Sequence, residues 1–194
     1  MRNTTVLFNW FKAVFSSIFS IFTKNNSQSH SAQIQTVESN VTANPLEDSA
    51  ADLSIPFYPK LIEHLEMDHQ HLLLLYTDIN SSVEHNKYER ISEQLNTFKN
   101  DFKAHLNAEN IKFYGYLEQR LKDQSQEFMS LRHFRKEMRS IERTVIKFLD
   151  HWIEYGIKAD NLTTFKTEYN AIGAALIKRI ESEEKELYTL YNQI

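Results

Sequence analysis

The chain has 194 residues and a mild net charge of −4, which argues against nucleic acid as a primary partner. It contains no Cys, which excludes a disulfide framework, a thiol nucleophile and an iron–sulfur or Cys-zinc site. Only three Gly and three Pro are present, so turns are few and elements long. With Leu, Glu, Lys, Gln and Asn throughout, the composition predicts an all-α protein.

Residues 5–22 are apolar and aromatic, with Arg2 and Lys24 flanking them and Asn9 and Lys12 interrupting them. Leu7, Phe11, Val14, Phe15, Ile18 and Phe22 fall on one helical face. Three readings of the segment 1–24 compete: an amphipathic anchor on a membrane surface, a signal peptide, or an apolar tail packed on the domain. Residues 25–55 are rich in Ser, Asn, Gln, Thr and Ala and read as a flexible linker, in which His30 is a solvated residue. Tail, linker and folded domain make the layout of a tethered module. The expectation is a cytoplasmic protein, peripheral to the membrane through residues 5–22.

From residue 56 the pattern is helical to residue 194. Pro59 suits a first helical turn. Leu61, Leu65, His69, Leu72, Tyr76, Ile79 and Val83 mark one face of a first helix, and Asn86 suits a left-handed stop. A second helix is expected from about Tyr88 to Leu121, with a seam at Ile91, Leu95, Phe98, Phe102, His105, Glu109, Phe113, Tyr116 and Arg120. Asp123 with Gln126 forms an acidic variant of the capping box for a third helix, whose seam runs through Leu131, Phe134, Met138, Ile141, Val145, Phe148 and Trp152. Gly156 suits its end. Asp160 or Asn161 caps a fourth helix, with a seam at Phe165, Tyr169, Ile172, Leu176, Arg179, Glu183, Leu187 and Leu190. Four long helices with short connections predict an up-down-up-down antiparallel four-helix bundle. No internal repeat stands out.

His105 and Glu109 occupy seam positions that the pattern reserves for apolar residues. A buried carboxylate is costly unless it is paired or bound to a metal. In such a bundle His69, His105, Glu109, Glu137 and Glu183 fall in one layer about two turns thick. Every helix is then expected to bring a polar group to the same depth, with His133 as an alternative to Glu137. Imidazole and carboxylate donors from facing helices are how bundles hold iron or manganese. Arg179 lies in the same layer and cannot be a ligand. It offers a competing reading, a buried ionic network with Glu109, Glu137 or Glu183 and no metal.

Residues 58–194 resemble the hemerythrin-like (HHE cation-binding) family. The carriers are Asp68-His69 followed by Leu72-Leu73, His105-x-x-x-Glu109, and Glu183-Glu184 with Leu187-Tyr188. The resemblance implies a four-helix bundle with a non-haem di-iron site that binds dioxygen or senses oxygen or iron. His69, His105, Glu109 and Glu183 fill family positions. Arg179 stands where the pattern has a His, so the second metal position is degenerate. A shorter resemblance, of Ile172-Gly173-x-Ala175-Leu176 with Arg179 and Glu183 to the regulator of sigma D family, implies instead a metal-free bundle that binds a protein partner.

The remaining histidines, His64, His71, His85 and His151, read as surface or helix-end residues. The Arg135, Lys136, Arg139 and Arg143 cluster reads as a solvated face, with partner binding as the sharper alternative. No catalytic triad, P-loop or Gly-rich dinucleotide motif is present, so the chain is expected to be a binding module and not an enzyme.

Overall fold

The computed structural model describes residues 54–193. The segment 1–24, and with it the anchor and signal readings, lies outside the described residues. Among those described, no helix is long and apolar enough to cross a membrane, and no strand occurs.

The first helix spans Leu61–Glu84. The second spans Tyr88–Ala108, continues through a π-helical turn at Glu109–Tyr114, and ends as Gly115–Leu121. The third spans Ser125–Tyr155. The fourth spans Leu162–Ser182, passes a second π turn at Glu183–Leu187, and ends as Tyr188–Gln193. Cross-helix pairs show neighbours running antiparallel. His71 meets Asp101 while Tyr76 packs on Phe98. Arg135 meets Glu118 while Lys99 meets Asp150. Trp152 meets Glu168 while Arg179 lies over Phe134. The result is the expected all-α bundle.

The apolar seams account for the packing. Every predicted seam residue of the first helix is buried. In the second helix the seam holds from Ile91 to Glu109 and then changes register. Phe113 and Tyr116 are buried as expected, but Tyr114, Leu117 and Leu121 join them, while Arg120 is exposed. A π turn bonds i to i+5 instead of i+4, so it admits one more residue per turn and rotates the rest of the helix about its axis. The fourth helix repeats the effect: Tyr188 and Tyr191 are buried, and Leu190 is only partly so.

The first and third helices stop at residues of positive φ, as expected, whereas the starts of the third and fourth differ from the capping reading. Asn86 takes the left-handed conformation at φ 56°, and Gly156 has φ 68°. Asp123 and Gln126 form no capping box, because the third helix begins after Gln124 and no side chain caps it. Asn161 precedes the fourth helix without capping it by side chain. Its amide braces the preceding loop instead, accepting from Lys158 N at 2.7 Å and donating to the Gly156 carbonyl at 3.1 Å.

At the end of the bundle where the second and fourth helices finish, residues 55–58 lie across the helices. Ile55 N–H donates to Gln119 Oε1 at 2.8 Å, and Tyr58 N–H donates to the Tyr191 hydroxyl at 2.8 Å. The Phe57 ring stacks on Tyr191 at 5.0 Å.

Towards the other end, Tyr76 and Tyr169 clamp the first helix to the fourth. Their rings stack at 4.1 Å, and each hydroxyl donates to the other's backbone carbonyl. Gly173 lies against this clamp: a Cβ there would stand 2.9 Å from Tyr76 Cε1. Gly173→Ala is therefore expected to destabilise the fold. Overpacking costs about 1–3 kcal/mol, which exceeds the about 1 kcal/mol that Ala gains over Gly in a helix. Thermal melts should give a lower midpoint than wild type; an equal or higher one would contradict the clamp. The glycine of the Ile172-Gly173-x-Ala175-Leu176 stretch thus has a packing role.

Candidate metal centre

Three helices, not four, bring ionisable side chains into the core layer. His69 from the first, His105 and Glu109 from the second, and Arg179 and Glu183 from the fourth are all buried, with Glu109 only 1% exposed. The His69 and His105 ring centroids lie 4.7 Å apart. The third helix does not contribute as expected. Glu137 is 54% exposed and lies 3.5 Å from His133, itself on the surface. Depth along the axis places Glu137 at the right level, but the neighbouring Met138 takes the inward position. What the third helix supplies is Phe134, whose ring centroid lies 5.3 Å from Arg179 Cζ.

Both π turns begin at a carboxylate of this layer, Glu109 in one and Glu183 in the other. Five residues after each carboxylate a tyrosine is buried, Tyr114 at the end of the first π turn and Tyr188 just past the second. The phenols cross over. Tyr114 from the second helix accepts from Arg179 Nη2 at 2.7 Å. Tyr188 from the fourth donates to Glu109 Oε1 at 3.3 Å and lies 3.4 Å from His69 Nε2. π turns recur at functional sites because they reposition side chains at the cost of regular hydrogen bonding.

Charges are arranged in a chain. Arg179 Nε donates to Glu183 Oε1 at 2.6 Å, and Glu183 Oε2 lies 3.4 Å from His69 Nε2. His69 Nδ1 meets Glu184 Oε1 at 2.9 Å. Burial opposes the charge on Glu183, but His69 and Arg179 outweigh it and hold its carboxyl below the usual range. Burial likewise opposes protonation of His69, yet its bonds to Glu183 and Glu184 push it up to about 9. Glu109 goes the other way. Burial first, and the charge of Glu183 second, push its carboxyl up to about 8. Burial also raises the Tyr114 and Tyr188 phenols well above their usual value.

Two features are those of a ligand set. The imidazoles are not held alike: His69 Nδ1 meets Glu184 at 2.9 Å, whereas His105 Nδ1 lies 3.5 Å from Asp68 and is buried without a hydrogen bond among the described residues. An outer carboxylate such as the one on His69 orients a metal-ligating histidine. In addition, Glu109 Oε2 is buried without a hydrogen-bond partner among the described residues. Against these stands the position of Glu183, whose oxygens face Arg179 and His69. Among the described residues, no three His, Asp or Glu side chains are gathered in a metal-holding arrangement. Imidazole and carboxylate are donor types that suit a metal cation. The guanidinium of Arg179 cannot be a ligand, and it brings a fixed positive charge into the layer.

The outer residues are also placed by the structure. His71 pairs with Asp101 at 2.9 Å on the surface. Within the basic cluster Arg135 turns inward to Glu118 at 2.7 Å and lies over the Tyr114 ring, leaving Lys136, Arg139 and Arg143 exposed. Sequence reading missed Tyr114 as a site residue and gave Tyr188 no role in the layer. The signal was there: His105-x-x-x-Glu109-x-x-x-x-Tyr114 and Arg179-x-x-x-Glu183-x-x-x-x-Tyr188 have the same spacing, so the two helices carry a short internal repeat.

No curated protein and no solved structure matches the chain. The family model of the hemerythrin HHE cation-binding domain matches residues 60–191, from the start of the first helix to the end of the fourth. That span includes both π turns and every buried ionisable residue of the layer, and the chain belongs to the hemerythrin HHE cation-binding domain family.

Proposed function

We propose that the domain is a non-catalytic binding module for a single non-haem metal ion, iron, held by His69, His105, Glu109 and Glu183, with dioxygen or iron itself as the signal it reads. The observation that carries this reading is the buried, unpartnered oxygen of Glu109 in a layer with two buried imidazoles. A buried acceptor without a partner costs about 1–3 kcal/mol, and a bound cation would remove that cost. Nitrogen and oxygen donors without thiolate suit iron. The metal, when bound, would supply redox and Lewis-acid chemistry. The chain's own residues orient His69 through Glu184, exclude water through Phe113 and Tyr188, and hold a fixed positive charge at Arg179.

One observation favours a second reading. The Arg179–Glu183–His69–Glu184 chain is hydrogen-bonded as it stands, so the layer could be an ionic network in a metal-free regulator that binds a protein partner. Arg179→His separates the two, because it restores a His-x-x-x-Glu spacing on the fourth helix. After anaerobic iron loading and desalting, the variant is expected to hold more iron per chain than wild type, tending towards two. If both proteins stay free of iron, the metal reading falls and the network reading stands.

A further inference from the structure

We propose that Tyr188 is itself a ligand of the metal, a phenol donor that completes the set which the His, Asp and Glu side chains leave incomplete. The inference rests on the metal-binding reading above. Its basis is the position of one oxygen. Tyr188 Oη lies 3.3 Å from Glu109 Oε1 and 3.4 Å from His69 Nε2, and His69 Nε2 lies 3.4 Å from Glu183 Oε2. Donors that share a metal at bond lengths of about 2.0–2.2 Å stand about 3.3–3.6 Å apart in a tetrahedral set and about 2.8–3.1 Å apart in an octahedral one. These three contacts have the spacing of a tetrahedral set, and two of the three are made by the phenol. It is the phenol oxygen that bridges His69 to Glu109.

The side chain is also held for the purpose. The Tyr188 ring lies parallel to His69, 9° between planes at 5.8 Å, and Phe113 packs on its side at 5.2 Å. It is buried, and its hydroxyl makes two long hydrogen bonds, to Glu109 at 3.3 Å and with His69 at 3.4 Å, and no short one that coordination would have to break. Tyr114 provides the contrast. It stands at the same spacing from the carboxylate of the other π turn, but its oxygen already accepts from Arg179 at 2.7 Å. One phenol is thus committed to the fixed guanidinium, and the other is left to the metal. On coordination the phenol O–H bond breaks, its proton passes to solvent buffer, and the oxygen lone pair forms the bond to iron.

The test uses the full chain loaded with ferrous iron under anaerobic conditions, oxidised with ferricyanide and desalted, with iron measured in the same samples. Phenolate bound to ferric iron gives a visible charge-transfer band, and resonance Raman excitation in that band enhances phenolate ring modes. Wild type should show both signals, and Tyr188→Phe should lose both when read per iron bound. Iron bound to wild type without the band would overturn the role of Tyr188 and leave the metal reading standing. A band that survives in Tyr188→Phe would do the same. A wild type that takes up no iron would overturn the metal reading, and the phenol ligand with it.

Discussion

Arg179→Met should destabilise the metal-free protein by about 3–5 kcal/mol, the usual cost of breaking a buried ion pair from one side. The loss would be concentrated on two groups. Glu183, 2% exposed, would keep only His69 at 3.4 Å after losing a 2.6 Å bond, and Tyr114 would lose its 2.7 Å donor. The stack of Phe134 on the guanidinium would change little, because methionine also packs well on a ring. For a domain of this size the thermal midpoint should fall by roughly 10 °C. Removing the other partner as well should recover most of that, since replacing both charges by apolar side chains is often neutral. The pair Arg179→Met and Arg179→Met/Glu183→Leu, compared in thermal melts, checks this. An Arg179→Met protein as stable as wild type would show that the guanidinium is not buried as described.

Glu109→Leu should move the metal-free and the metal-loaded protein in opposite directions. Without metal, the substitution removes a buried carboxyl that has one long hydrogen bond and one oxygen with no partner. Relieving an unsatisfied buried group is worth about 1–3 kcal/mol, so the metal-free midpoint should rise. With metal the order reverses. A ligand present at a hundred times its dissociation constant adds about 2.7 kcal/mol to stability, and that increment should vanish once Glu109 is gone. Melts with and without ferrous iron under anaerobic conditions read both effects. A Glu109→Leu protein that is less stable without metal would mean that the carboxyl is a structural partner and not a reserved ligand.

Much of the fold could be read from the apolar spacing. The seams located four antiparallel helices, and polar residues on those seams, His69, His105, Glu109, Arg179 and Glu183, are all buried in one layer. Glu137 failed for a geometric reason. Counting residues from a helix end fixes height along the axis, whereas burial depends on angle around it, and Met138 holds the inward angle. The π turns escaped because a pattern of threes and fours assumes regular α-helix. One extra residue in each turn moved Arg120 out to the surface and brought Tyr114, Leu117, Tyr188 and Tyr191 in. The N-cap of the fourth helix escaped because Asn161 satisfies loop groups at Gly156 and Lys158 instead of the helix start.

The central claim is that this layer holds one metal ion, and the most direct measurement is iron per chain. The full-length protein would be purified, loaded with ferrous iron under anaerobic conditions, desalted and analysed for metal against protein concentration. One iron per chain in wild type is the expected result. Wild type without iron would contradict the account, and two irons per chain would contradict the part assigned to Arg179.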